Sequence, residues 1–339
     1  MRRPAIFLSV IALCQIVLPG WSGEERLALL DVDHPNISAV RVLLDAGDPD
    51  RKRAGALEYL GGVSLTSRDP AFGGFSSLSV VGDRITLLSD GGNVASFRLN
   101  REMQPRAIRF ANLPAGPGRG WDKRDRDSES MAVDTATGRV FVGFEGYNMI
   151  WRYAPDFARA ERAIAPAAMA KWPANGGAET LARMPDGRFV VISEVAHVAP
   201  AHWVGNDAGR LKTRDGLIFA SDPTTPGLQP LHFAYTPPGR FDTSDATALP
   251  NGDLLVLDRD FRLPYHFSAM VSRVRARDLH PGAVTHPERL ALLDSPLLHD
   301  NFEGIATSRE GDDTIVWIVS DDNQSWLQRT LLLKFRLRG

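Results

Sequence analysis

From about residue 75 onward the chain repeats one arrangement of apolar and polar positions. Short runs rich in β-branched, leucine or aromatic residues lie at residues 84–88, 140–143, 189–192, 254–257 and 314–319. Each is preceded by a turn in which glycine is followed by a charged residue: Gly82-Asp83, Gly138-Arg139, Gly187-Arg188, Gly252-Asp253 and Gly311-Asp312. Glycine supplies the positive φ that tight hairpins require. Two of these turns begin Pro185-Asp186-Gly187 and Pro250-Asn251-Gly252, which are strong hairpin signals.

Ahead of each turn stands a second recurring segment. Phe75-Ser76-Ser77-Leu78-Ser79, Ser128-Glu129-Ser130-Met131-Ala132, Ala178-Glu179-Thr180-Leu181-Ala182, Ser244-Asp245-Ala246-Thr247-Ala248 and Phe302-Glu303-Gly304-Ile305-Ala306 align without gaps. The shared pattern is an acid, two steps to a mostly apolar residue, then a small one, and Ser76 alone breaks the acidic rule. A hairpin-rich unit recurring roughly every fifty to sixty-five residues predicts an all-β fold, a single β-propeller of five or six blades. Strand material at residues 54–66 and the closing run at 330–337 are expected to complete one ring between them. Helical periodicity is confined to a short candidate helix at residues 158–172. Polar, glycine- or proline-rich stretches at 111–126, 195–214 and 236–240 read as insertion loops.

Composition narrows the class without changing the fold. With 339 residues, 43% hydrophobic and 24% charged, and a formal charge of -2, the chain has the balance of a soluble globular protein and none of a nucleic-acid binder. Residues 1–23 open with Arg2-Arg3 and the apolar run 5–18, the layout of a secretory signal, so a periplasmic or secreted protein with no membrane span after signal removal is expected. An uncleaved anchor is the alternative. Residues 24–53 then form an extension or first strand, and 54–339 the propeller. Cys14, the only cysteine, lies in the signal, so the mature chain has no thiol nucleophile, thiolate metal site or disulfide.

Residues repeated at one point in every blade become a ring around the axis, so Glu129, Glu179, Asp245 and Glu303 are expected to converge. Carboxylates that close repel unless protons or a cation neutralise them, and oxygen-only sites suit Ca²⁺. The competing reading is structural, with the acids accepting backbone amide hydrogen bonds at blade turns. A second acidic series closes the apolar runs: Asp90, Glu145, Glu194, Asp258 and Asp321. Arg259, between Asp258 and Asp260, is either a contact for a substrate anion or a local ion pair. His299 stands just before the last acidic segment, but the eight histidines form no metal motif. Neither a Gly-x-Ser-x-Gly elbow nor a phosphate-binding loop occurs.

Several segments resemble the bacterial esterase-like, or phytase-like, domain family. They are Phe72-Gly73-Gly74-Phe75-Ser76-Ser77-Leu78, residues 85–90, Asn175-Gly176-Gly177-Ala178-Glu179, Asp300-Asn301-Phe302-Glu303-Gly304-Ile305-Ala306 and Val319-Ser320-Asp321-Asp322-Asn323. The likeness runs roughly from Leu57 to Leu337. It implies an exported propeller hydrolysing a small-molecule phosphate or other ester, with Ca²⁺ in an acidic channel as in the calcium-dependent propeller phytases. In that reading Glu179, Glu303 and Arg259 are the catalytic candidates, and Glu129, Asp245, Asp258, Asp321 and Asp90 the metal candidates. A lactonase-type variant would use one divalent ion, fewer acids and an asparagine such as Asn323. The alternative function is a non-catalytic binding or scaffold propeller in which the acids only fasten the blades.

Overall fold

The computed structural model describes residues 28–338 except 121 and 204. Residues 1–23, the segment expected to be a signal, with Cys14, lie outside the described residues. Each glycine turn closes a hairpin, and successive hairpins build five mainly antiparallel sheets around one axis, a five-bladed β-propeller. Blade one is Phe75–Val81, Arg84–Ser89, Asn93–Leu99 and Pro105–Asn112; blade two is Ser128–Asp134, Arg139–Phe144, Met149–Tyr153 and Ala160–Ile164. Blade three is Ala182–Arg183, Phe189–Ile192, Arg214–Phe219 and Leu231–Tyr235, with Val284–Thr285 added in parallel from blade four. Blade four is Asp242–Ala248, Leu254–Arg262, His266–Val274 and Glu288–Leu293.

Blade five joins the two ends of the chain. Its first three strands, Phe302–Glu310, Asp313–Ser320 and Thr330–Leu337, are followed across the sheet by Leu57–Thr66, which pairs with both Thr330–Leu337 and Ser38–Arg41. Strand Arg53–Ala54 also joins Leu57–Thr66, so part of the segment 24–53 is built into this blade. Apolar residues from facing sheets form the layers between blades, for instance Leu255, Leu257 and Val271 of blade four against Val316, Ile318 and Leu333 of blade five.

The candidate helix at 158–172 is not formed. Ala160–Ile164 is the outer strand of blade two and Ala167–Met169 a single 3-10 turn. Pro166 precludes a continuous helix through the segment, and pairing with Met149–Tyr153 overrides the local alanine content. Among the described residues, no helix is long and apolar enough to cross a membrane.

Candidate functional site

The innermost strands of four blades each begin with a β-bulge. The registers shift around Ser76, Glu129, Ser244 and Glu303. A bulge leaves one residue outside the ladder and re-aims its side chain. In blade three, where regular pairing starts only at Ala182, Glu179 holds the corresponding place, since Thr180 N donates to Ile192 O. The first ring is therefore Ser76, Glu129, Glu179, Ser244 and Glu303.

The same registers define a second ring on the neighbouring strands. Phe75 pairs with Ser89, Ser128 with Phe144, Thr243 with Asp258 and Phe302 with Ser320, so the next positions are Asp90, Glu145, Arg259 and Asp321. Glu194 completes the ring from blade three. Two steps beyond the first ring, Leu78, Met131, Leu181, Ala246 and Ile305 form an apolar collar that lines the channel below the acids. The result is an acidic basin over an apolar floor.

This register corrects the gapless alignment in blade four. Asp245 stands one position past the ring, where Ser77, Ser130 and Gly304 stand in other blades. Its carboxylate accepts from Ala246 N at 2.8 Å and from Ile305 N of blade five at 2.9 Å, tying two inner strands together. Asp258 is likewise one position short of the second ring. It is fully buried, accepts from the Tyr235 hydroxyl at 2.7 Å and Thr243 Oγ1 at 3.3 Å, and burial pushes its carboxyl up to about 7. Both acids act as internal locks, and neither joins the carboxylate groups that converge in the basin.

Blade four instead contributes the cation. Arg259 Nη1 donates to Glu303 Oε1 at 2.6 Å and to Asn301 Oδ1 at 2.9 Å, and Nη2 to Glu194 Oε1 at 3.0 Å. Burial opposes its charge, but Glu303, Glu194 and Glu179 outweigh this and raise its pKa, so the guanidinium stays charged. Asn301 Nδ2 also donates to Glu303 Oε1 at 2.7 Å. One oxygen of Glu303 thus carries the fixed contacts. Seven carboxylates, Glu129, Glu179, Glu303, Asp90, Glu145, Glu194 and Asp321, occupy the two rings with this one guanidinium.

The imbalance shows in their protonation. Burial, then Asp127, Glu145, Glu303 and Asp90, push Glu129 well above the usual carboxylate range. Burial, then Glu194, Glu129, Glu145 and Glu303, do the same to Glu179. Asp321 is raised well above it by burial and by Glu303 and Asp90, and Glu194 is raised by burial despite Arg259. Two carboxylates about 5 Å apart repel by roughly 3 kcal/mol at an effective dielectric of about 20. The basin must therefore hold protons or a cation.

Among the described residues, two groups have carboxylate oxygens within 4.8 Å of one another: Asp127 with Glu129 and Glu145, and Glu145 with Glu179 and Glu194. Glu145 belongs to both, and its Oε1 is oriented by the backbone NH of Gly176. Asn148 Oδ1, buried and without a hydrogen-bond partner, lies against Gly177 beside the Glu145 side chain. This all-oxygen donor set fits a hard divalent cation. On the other side of the basin, Gly74 at φ +63° lets the Asp90 carboxylate approach to 2.8 Å of where a Cβ would stand. Gly74 N donates to Asp322 at 2.9 Å.

Of the residues marked from sequence, Glu129, Glu179, Glu303, Asp90, Glu145, Glu194, Asp321 and Arg259 fall on the rings, whereas Asp245 and Asp258 do not. Sequence reading did not single out Asp127 or Asn301. Asp127 had a weak signal, an acid two residues before Glu129; Asn301 had none beyond its place in the closing motif.

The structure is similar to several solved structures at low identity. A catalytic domain of a Coprinopsis cinerea GH62 alpha-L-arabinofuranosidase shares 11% identity over 89% of this chain and 99% of that one, with a TM-score of 0.48. The major Malassezia sympodialis allergen Mala s 1 shares 15% over 89% and 96%, TM-score 0.46. A putative 6-phosphogluconolactonase from Bacteroides uniformis shares 13% over 81% and 75%, TM-score 0.37. No curated protein sequence matches the chain. A profile described as phytase-like, esterase-like activity of phytase, matches residues 70–324, which contain both rings, all five inner strands and every carboxylate of the basin. The chain therefore belongs to the phytase-like family.

Proposed function

We propose that the protein is a divalent-cation-dependent ester hydrolase whose reaction takes place in the acidic basin. The observation that carries this reading is the pair of three-carboxylate groups sharing Glu145, set beside the half-buried Arg259. Asp127, Glu129, Glu145, Glu179 and Glu194 would hold the cation, with Ca²⁺ favoured by the donor chemistry. A cation held there would supply positive charge for a phosphoryl or acyl oxygen and would lower the pKa of a bound water.

The chain's own groups supply the rest. Arg259 is the positive charge nearest an incoming anionic oxygen. Glu303, with Oε1 fixed by Arg259 and Asn301, has Oε2 available to accept a proton from attacking water. The apolar collar of Leu78, Met131, Leu181, Ala246 and Ile305 keeps that chemistry at one end of the channel.

The test is calcium titration of the chelator-treated protein by calorimetry, with turnover of a phosphate ester and a carboxylic ester followed alongside. Binding that switches on turnover, and its loss in Glu145→Gln, are expected. Absence of cation binding would leave the scaffold reading, with the acids fastening blades as Asp245 does.

A further inference from the structure

The second strand of blade four is longer on the basin side than its counterparts. In blades one and two that strand ends at Ser89 and Phe144, the positions equivalent to Asp258, whereas here it continues to Arg262. Its pairing with the next strand continues through Asp260 with Ser268, Phe261 with Phe267 and Arg262 with His266. At about 3.4 Å per residue the hairpin stands roughly 10 Å above the carboxylate rings.

Side chains alternate along a strand, so Phe261 shares a face with Arg259, two residues away. This is the face toward blade five, because Leu255 and Leu257, on the same face of the strand, pack with Val316 and Ile318 there. Phe267, directly opposite, has its ring centroid 4.8 Å from that of Phe261, and Tyr265 stands edge-on to both at 6.3 and 5.7 Å. Across the gap, the loop that follows the ring residue Asp321 carries Trp326 and Leu327, 82% and 41% exposed. The Tyr265 side chain lies near Ser325 of this loop, with Asp300 and Asp321 close by.

We propose that this cleft, walled by Phe261, Tyr265 and Phe267 on one side and Trp326 and Leu327 on the other, binds the apolar part of the substrate while its ester group lies in the basin by Arg259. The substrate class is an ester with an aromatic or similarly flat apolar group on one side, not a compact polyanion. The inference rests on the function proposed above. Three observations support it together: the shared strand face of Arg259 and Phe261, the length of this hairpin compared with those of the other blades, and the exposed Phe261 and Trp326 at the edge of a charged basin. Aromatic faces left in water at such a place gain from stacking against a flat apolar group.

The test compares phenyl and methyl esters of phosphate and of acetate on the calcium-loaded full chain, with calcium binding measured separately by calorimetry. Wild type should show a KM for each phenyl ester lower than that for its methyl counterpart by about tenfold or more, the scale expected for burying one ring. Phe261→Ala and Trp326→Ala, both at exposed positions, should each remove most of that preference by raising KM for the phenyl ester, with kcat and calcium affinity unchanged. Equal affinity for phenyl and methyl esters, or a preference that survives both substitutions, overturns the subsite while leaving the basin reading standing. Failure to bind calcium overturns the basin reading, and failure to bind either ester overturns both. If Trp326→Ala instead converts a sedimenting dimer to monomer with the ester preference intact, the ridge joins two copies of the chain and the subsite is wrong.

Discussion

Asp258 offers the most direct check on how the basin's neighbours are divided between structure and chemistry. Its carboxyl is fully buried, accepts hydrogen bonds from Tyr235 and Thr243, and is raised to about 7 chiefly by burial. The unfolded-chain value is about 3.9. Because the folded value is the higher, the folded state binds this proton more tightly. Its stabilising effect is complete below about pH 4 and is lost as pH rises through 7. A difference of about three units corresponds to roughly 4 kcal/mol that the ionised form costs above pH 8. In Asp258→Asn the amide oxygen still accepts a hydrogen bond, the amide nitrogen donates to the Tyr235 oxygen, and nothing ionises. Relative to wild type, the variant should be close to neutral at about pH 4, more stable by about 1.5 kcal/mol at pH 5 and by up to about 4 kcal/mol at pH 8–9, the last roughly 5–10 °C in Tm for a chain of this size. Paired thermal melts across pH 4–9 at saturating calcium measure it, since the difference between the two proteins cancels the titration of the basin. A difference that does not change with pH, or a variant less stable at pH 8–9, would refute the assignment of Asp258 as a protonated internal lock.

Two further outcomes follow from the register. Asp245→Ala leaves the amides of Ala246 and Ile305 without their acceptor and should cost about 2–4 kcal/mol in urea unfolding with calcium affinity unaltered; unchanged stability, or lost calcium binding, would count against it. A chain beginning at residue 67 lacks Leu57–Thr66, whose Leu57, Val63 and Leu65 are buried and whose backbone pairs with the last strand. It should fail to show a cooperative melt by circular dichroism, whereas a melt like that of the full chain would mean that the ring closes without this strand.

Much of the site was legible in the sequence because a propeller repeats its chemistry. An acid recurring before a glycine turn is visible as text, and the fold converts that recurrence into a ring. Hence Glu129, Glu179, Glu303, Asp90 and Asp321 could be placed from the repeats alone. The error in blade four has a physical cause. Aligning Asp245 with Glu129 maximises chemical likeness, but the β-bulge falls at Ser244, and a one-residue slip exchanges the two faces of a strand. The slip carried Asp258 into the second series and hid the fact that Arg259 takes the fifth acidic position there.

The sequence by itself determined the fold class, the repeat unit and the closure of the ring by its two ends, because hairpin turns and strand periodicity are local properties of the chain. Tertiary structure alone decided that there are five blades, that Asp127 and Asn301 join the site, and that Arg259 faces Glu194 and Glu303 from residues 65 and 44 positions away. Those contacts depend on bulge position and on which strand faces lie across the channel. Both are set by packing between blades distant in sequence, which no local pattern of residues records.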